Sequence, residues 1–211
     1  LIDEDNERRG CPAIWKKYGK AKALLIGDLL ISKAYEIVTD SKVSAATKVV
    51  WTREISAAVS RAVSGAGAEL ESDTHNQQLI LENYYRMASR KTGALFALPA
   101  RCIALTADQL DDVDRLNTIF LNLAVAYQIK DDQSDFIGNK SGREHSSDLK
   151  NGRPNLYHIL TSNGRSTEMC FDFINDYQQS LVADSVQLTD SLPKQVCVIL
   201  RELLTPLIEL E

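Results

Sequence analysis

Three carboxylates dominate the chemistry that this chain could perform. Asp131, Asp132 and Asp135 stand in the run Asp131-Asp132-Gln133-Ser134-Asp135. The run follows an apolar-periodic segment, Val113 to Lys130, whose spacing predicts a helix. Positions i, i+1 and i+4 of a helix share one flank, so the three carboxylates can converge on one point. Three anions that close repel one another unless a cation lies between them. Gly138 follows as an expected helix end, where the macrodipole already disfavours anions. Oxygen donors without a neighbouring His or Cys suit Mg²⁺ better than Zn²⁺. The same run also reads as a solvated acidic helix end, and spacing does not choose between the two.

Other polar groups are spaced for a partner of opposite sign. Arg8-Arg9-Gly10-Cys11-Pro12 follows the acidic residues Asp3, Glu4, Asp5 and Glu7. Two adjacent guanidiniums can bind a phosphate by paired forks, or they can neutralise the carboxylates beside them. Lys91-Thr92-Gly93 is expected to break a helix between Leu79–Ser89 and Ala94–Leu105. Such a break offers an ammonium and a hydroxyl to one spot; it also reads as a solvent-facing kink. Lys140, Arg143, Lys150 and Arg153 stud the polar stretch after Gly138. That stretch reads either as a surface connection or as a basic lid over the acidic site.

The elements that must carry these groups are all helical. A helix is expected from Gly19 to Val38, burying Ala23, Leu24, Ile26, Leu29, Leu30, Ala34 and Ile37, with Gly27 packed closely against a neighbour. Another is expected from Ser44 to Leu70, burying Val49, Val50, Ile55, Ala58, Val59, Ala62 and Val63. Its small-residue stripe, Ala58, Ala62 and Ala66, suits tight helix contact. Asn155–Thr161, Thr167–Val182 and Pro193–Leu210 complete the set. No stretch alternates as a strand would, so the fold class is all-α, a bundle of long helices with short loops.

The 211 residues fit one domain with a sizeable core. The chain opens on Leu1 rather than Met, and an N-terminal part is expected to be missing. A net charge of −5 does not advertise nucleic-acid binding. Cys11, Cys102, Cys170 and Cys197 are scattered and form no CxxC pair, which suggests neither zinc nor a disulfide framework. A reducing cytoplasmic compartment is the default for such a chain. No apolar run approaches the roughly 18–20 residues of a membrane span.

Taken in order, these motifs resemble the trans-isoprenyl diphosphate synthases, or polyprenyl synthetases. That family carries DDxxD followed four residues later by RRG; Asp3 with Arg8-Arg9-Gly10 matches the tail of this pattern. Gly27-Asp28, Lys91-Thr92-Gly93 and Gln128-Ile129-Lys130-Asp131-Asp132-Gln133-Ser134-Asp135 match the later motifs. The resemblance implies the isoprenoid synthase fold, with long, mostly antiparallel helices around a central cavity and the N-terminal helices missing here. It implies Mg²⁺-dependent condensation of isopentenyl diphosphate with an allylic diphosphate, in a homodimer. Asp3, Asp131 and Asp135 would be metal ligands, and Asp132 a ligand or a supporting neighbour. Arg8 would contact the allylic diphosphate and Arg9 the isopentenyl diphosphate. Lys91, Thr92 and Gln128 would line the reacting carbons. Arg143 and Arg153 replace lysines of the family's GK pattern and keep the charge. The family's Gly-Gln before an acidic position appears as Gly65-Ala66 with Glu69. A class I terpene cyclase and a non-catalytic partner subunit are the alternatives; the paired arginines argue against the first and the whole second aspartate motif against the second.

Overall fold

A computed structural model of the chain describes residues 5–8, 10–70, 80–138, 147–150 and 152–208. It is built of helices: α1 (Ile14–Tyr18), α2 (Lys20–Asp40), α3 (Ala45–Leu70), α4 (Ile80–Ala88), a π-helical turn (Ser89–Gly93), α5 (Ala94–Thr106), α6 (Leu110–Ile137), α7 (Ser147–Lys150), α8 (Leu156–Ser162), α9 (Thr167–Thr189) and α10 (Lys194–Ile208). One departure from the all-α expectation is a short antiparallel pair, β1 (Glu7–Arg8) with β2 (Cys11–Pro12). It is too short for its side-chain alternation to register in the sequence.

Helix α6 is the centre of the bundle. Asn122, Leu123, Ala124, Val125 and Ala126 are buried in succession, which places apolar neighbours all around this part of the helix. Val125 and Ile129 join Tyr84, Ala88, Leu156, Tyr157, Leu160, Cys170 and Ile174 in the main core. Ile119 and Leu123 meet Val182, Leu192 and Leu200 in a second core toward the other end. Gly138 ends α6 in the left-handed region (φ 84°, ψ 19°), its N–H donating to Ser134 and Asp135 carbonyls, as its position predicts.

Four expectations are corrected by packing. The Lys91-Thr92-Gly93 segment does not break its helix; α4 runs through the π-turn into α5. A π-turn keeps the backbone hydrogen-bonded while widening the spiral by one residue, so the chain gains local width without a loop. The buried stripe of α3 also differs. It is Glu54, Ala58, Gly65 and Glu69, whereas Val49 and Val63 are exposed. Glu54 enters this stripe because Arg101 Nε donates to it at 2.8 Å from α5. Helix α2 buries Val38, while Leu24, Leu29, Leu30 and Ile37 of its expected core face are exposed. Gly27 has open space around it rather than a close neighbour.

Close approach occurs instead at Gly65 and Gly93. A Cβ on Gly65 would lie 2.5 Å from the Lys91 backbone nitrogen, and one on Gly93 would lie 2.7 Å from Leu121 Cδ2. These absent side chains let the π-turn nest between α3 and α6. Gly65→Ala is therefore expected to destabilise the fold by about 1–3 kcal/mol in urea unfolding, as overpacking does. Gly67→Ala, which meets open space, is expected to stabilise slightly through the unfolded chain. Equal effects from both substitutions would remove the close-contact argument.

Candidate active site

The second aspartate motif occupies the C-terminal end of α6, and the three carboxylates have different surroundings. Asp132 is buried, at 1% exposure. Its Oδ2 accepts from Tyr84 Oη at 3.0 Å and from the Leu156 backbone N–H at 2.9 Å. Its Oδ1 accepts from Gln128 Nε2 at 3.0 Å. Burial pushes this carboxyl up to about 7 against the pull of those donors, and the charge of Asp148 adds to the rise. Asp135 is also buried, and its Oδ2 accepts from the Asp148 backbone N–H at 3.2 Å. Asp131 is half-buried. The convergence of all three carboxylates expected from their spacing thus gives way to a division. Asp132 turns toward the packed helices, and Asp135 toward the segment that comes after α6. Among the described residues, no group of three acidic, His or Cys side chains is gathered closely enough to hold a metal ion.

A hydrogen-bonded chain connects this end to the π-turn. Thr92 Oγ1 donates to Gln128 Oε1 at 3.3 Å, and the same amide donates through Nε2 to Asp132. The structure therefore brings Thr92, Gln128 and Asp132 together, as the motifs predict. Lys91 sits beside them and pairs through Nζ with Glu69 at 2.7 Å. Phe96, one turn along from Thr92, packs against Tyr127 with ring centroids 5.8 Å apart. Both rings are exposed, an apolar pair beside the polar groups. Arg153 lies at the same end as the aspartates; its backbone N–H donates to the Asp148 carbonyl at 2.7 Å. Asp3, Arg9 and Arg143 lie outside the described residues, as does the side chain of Arg8.

Three contributors were not singled out from the sequence. Tyr84 lies seven residues before Lys91, on the stripe it shares with buried Ala88. That helical spacing was its one signal. Asn155 is fully buried and caps α8, accepting from Tyr157 and His158 N–H groups. It also donates to the Asp132 carbonyl at 2.9 Å and to Asp148 Oδ2 at 3.4 Å. An Asn directly before the apolar start of a helix is an N-cap signature. Glu69 matched only as an acidic position, without its Lys91 partner.

An all-helical bundle with carboxylates, an amide, a hydroxyl and an ammonium grouped at one end defines an isoprenoid-synthase-like protein. The polyprenyl synthetase family profile matches residues 1–187, and the chain belongs to that family. It is 28% identical to the farnesyl diphosphate synthase of Escherichia coli K12, over 90% of this chain and 66% of that enzyme. It is 32% identical to the geranylgeranyl diphosphate synthase of Sulfolobus acidocaldarius, over 76% of this chain and 50% of the relative. The chain thus spans about half to two-thirds of the length of these relatives. Its fold superposes on the crystal structure of the geranylgeranyl pyrophosphate synthetase from Pyrococcus horikoshii Ot3 with a TM-score of 0.84 and 25% identity. That match covers 100% of this chain and 73% of that one.

The Lys91–Glu69 pair yields a direct test. Glu69 is 5% exposed and Lys91 27%, so the pair is largely withdrawn from water. Glu69→Ala should cost about 1–3 kcal/mol by chemical denaturation. The double replacement Glu69→Leu with Lys91→Met should recover most of that loss, because an apolar pair of similar volume needs no counter-charge. A double variant no more stable than Glu69→Ala would overturn the assignment of that loss to a Lys91 charge left without its partner.

Proposed function

We propose that this protein is a prenyltransferase. It condenses isopentenyl diphosphate head-to-tail with an allylic prenyl diphosphate, giving a longer trans-prenyl diphosphate such as geranylgeranyl or farnesyl diphosphate. The observation that carries the proposal is the linked set Thr92–Gln128–Asp132, with Lys91 and Asp135 at the same end of the bundle, in a chain of this family. Carboxylate oxygens at Asp131 and Asp135, on a helix end with no basic residue in its last turn, fit a hard divalent cation. Mg²⁺, on which the family generally depends, would be held there together with Asp3, and Asp132 is the supporting neighbour. When bound, it would supply positive charge to the departing diphosphate.

The chain's own groups have distinct tasks. Lys91 holds an ammonium beside the reacting end, steadied by Glu69. Arg8, Arg9, Arg143 and Arg153 provide guanidinium forks for the two diphosphates. The oxygens of Thr92 and Gln128 present lone pairs to the allylic cation that forms as the C–O bond ionises. The isopentenyl double bond then adds to that cation, and loss of a proton restores neutrality. Phe96 and Tyr127 offer an apolar surface that the prenyl chain would cover, and water displaced by the bound chain would be kept from quenching the cation. Helix α2, apolar over much of its circumference and exposed along Leu24, Leu25, Leu29 and Leu30, is the surface that a second copy would cover in a homodimer. No described helix is long and apolar enough to cross a membrane. The cysteines Cys11, Cys102, Cys170 and Cys197 are free thiols, which suits a reducing compartment such as the cytoplasm.

The test is incubation of the full chain with Mg²⁺, an allylic diphosphate and labelled isopentenyl diphosphate. Label is expected in a longer prenyl diphosphate. Asp131→Ala and Asp135→Ala should each lower turnover by orders of magnitude while circular dichroism stays unchanged. A hydrocarbon formed without isopentenyl diphosphate would point to a cyclase instead. Turnover that appears only after a second, different chain is added would make this a partner subunit.

A further inference from the structure

We propose that Tyr84 is a positioning residue for Gln128, acting through the Asp132 carboxylate. The inference rests on the prenyl-transfer reading above and assigns a role within that site. A glutamine amide has two ends of similar shape and opposite polarity. The Asp132 oxygens accept from Tyr84, the Leu156 N–H and Gln128, so the end of Gln128 that faces Asp132 is its NH₂. The structure places Nε2 at 3.0 Å from Asp132 Oδ1 and turns Oε1 toward Thr92. This orientation depends on Asp132 keeping Oδ1 turned to Gln128.

Two donors fix the other oxygen. The Leu156 N–H reaches Oδ2 from the start of α8, and the Tyr84 hydroxyl reaches it from α4. The Leu156 donor is backbone and cannot be lost to mutation without Pro. Tyr84 is the side-chain half of the clamp. It is 4% exposed, and its ring alone would fill its place in the core. The hydroxyl is the part that packing does not require, and it is aimed at Asp132. Without it, the carboxylate is held at Oδ2 by a single donor and can turn about its Cβ–Cγ bond. Gln128 then loses the partner that selects its orientation. A reversed amide would direct partly positive N–H groups at the developing carbocation, where the oxygen lone pairs are needed.

Tyr84→Phe should lower kcat about tenfold, the cost of one hydrogen bond to a charged group. KM for both substrates and the Mg²⁺ concentration at half-activity should be unchanged. The decisive comparison is a double-mutant cycle with Gln128→Ala. If Tyr84 acts through Gln128, Tyr84→Phe has no further effect on kcat in the Gln128→Ala background. The same loss in both backgrounds would overturn the proposal. Tyr85→Phe is the control for a lost core hydroxyl, because Tyr85 donates to Asn122 Oδ1 at 2.9 Å on the same helix. Its effect should be additive with Gln128→Ala.

A second readout does not need turnover. The Gln128 side-chain amide protons, assigned in ¹⁵N spectra by their absence in Gln128→Ala, should exchange with water about tenfold faster in Tyr84→Phe than in the parent. Tyr85→Phe should leave them unchanged. Equal exchange in parent and Tyr84→Phe overturns the proposal, whatever the enzyme does. Faster exchange in Tyr84→Phe, when the parent chain condenses no substrate, would retain Tyr84 as the positioning residue and reject the prenyl-transfer reading instead.

Discussion

Taking a carboxylate out of water costs several kcal/mol unless other donors replace the lost hydration. At Asp132 those donors come from α4, α6 and α8. Satisfying this one group therefore requires three helices to arrive in register. Asn155 strengthens the constraint by capping α8 while donating to the Asp132 carbonyl. Once that junction is set, covalent geometry places the other functional groups. Gln128 lies one turn before Asp132, and Lys91 and Thr92 lie roughly two turns beyond Tyr84 along its rod. The polar site is thus built outward from a buried hydrogen-bond cluster rather than assembled from loops.

The π-turn determines where the groups along that rod point. In an unbroken α-helix, Lys91 and Thr92 would continue the stripe that Tyr84 and Ala88 bury against α6. The extra residue of the π-turn rotates the helix beyond Ser89 about its own axis. Lys91 swings toward Glu69 on α3, and Thr92 meets Gln128 on α6. One short segment can then serve two neighbouring helices at once. That arrangement requires α3 and α6 to come close on both sides, which Gly65 and Gly93 permit. The expected break and the observed π-turn fall on the same residues, Lys91-Thr92-Gly93, where the helix widens instead of ending.

Periodicity made much of the bundle legible. The helices from α2 onward, other than α7, lie close to the stretches predicted from apolar spacing, and Gly138 ends α6 as its type suggests. The motif order brought Lys91, Thr92, Gln128 and Asp135 to one end. Burial was less legible, because hydrophobicity states a preference for an apolar neighbour but not which neighbour meets it. On α3 the buried stripe contains two glutamates, each made tolerable by a cation on another element, Arg101 or Lys91. On α2 most of the large apolar residues are exposed, and Val38 alone is buried among those of the described helix. Tyr84 was hidden for a related reason. Its ring satisfies the core pattern, and only the partner 48 positions away reveals a second purpose for the hydroxyl.

The division among the aspartates comes from position on the helix. Asp131 and Asp132 are neighbours and so point about 100° apart around α6. If one faces the packed interior, the other must face its margin. Asp135, one turn on from Asp131, is buried as well, but against the segment after α6, where it accepts from the Asp148 backbone N–H. Helix α6 carries no basic residue in its last turn and ends on a glycine cap, so its last turn itself places no cation against the macrodipole there. Asp132 is reconciled by the bundle, through donors that cost the site no freedom. Three identical residues therefore serve two ends: Asp132 and Asp135 are both buried, and it is the hydrogen-bond partners of Asp132 on α4, α6 and α8 that distinguish the one that joins the helices.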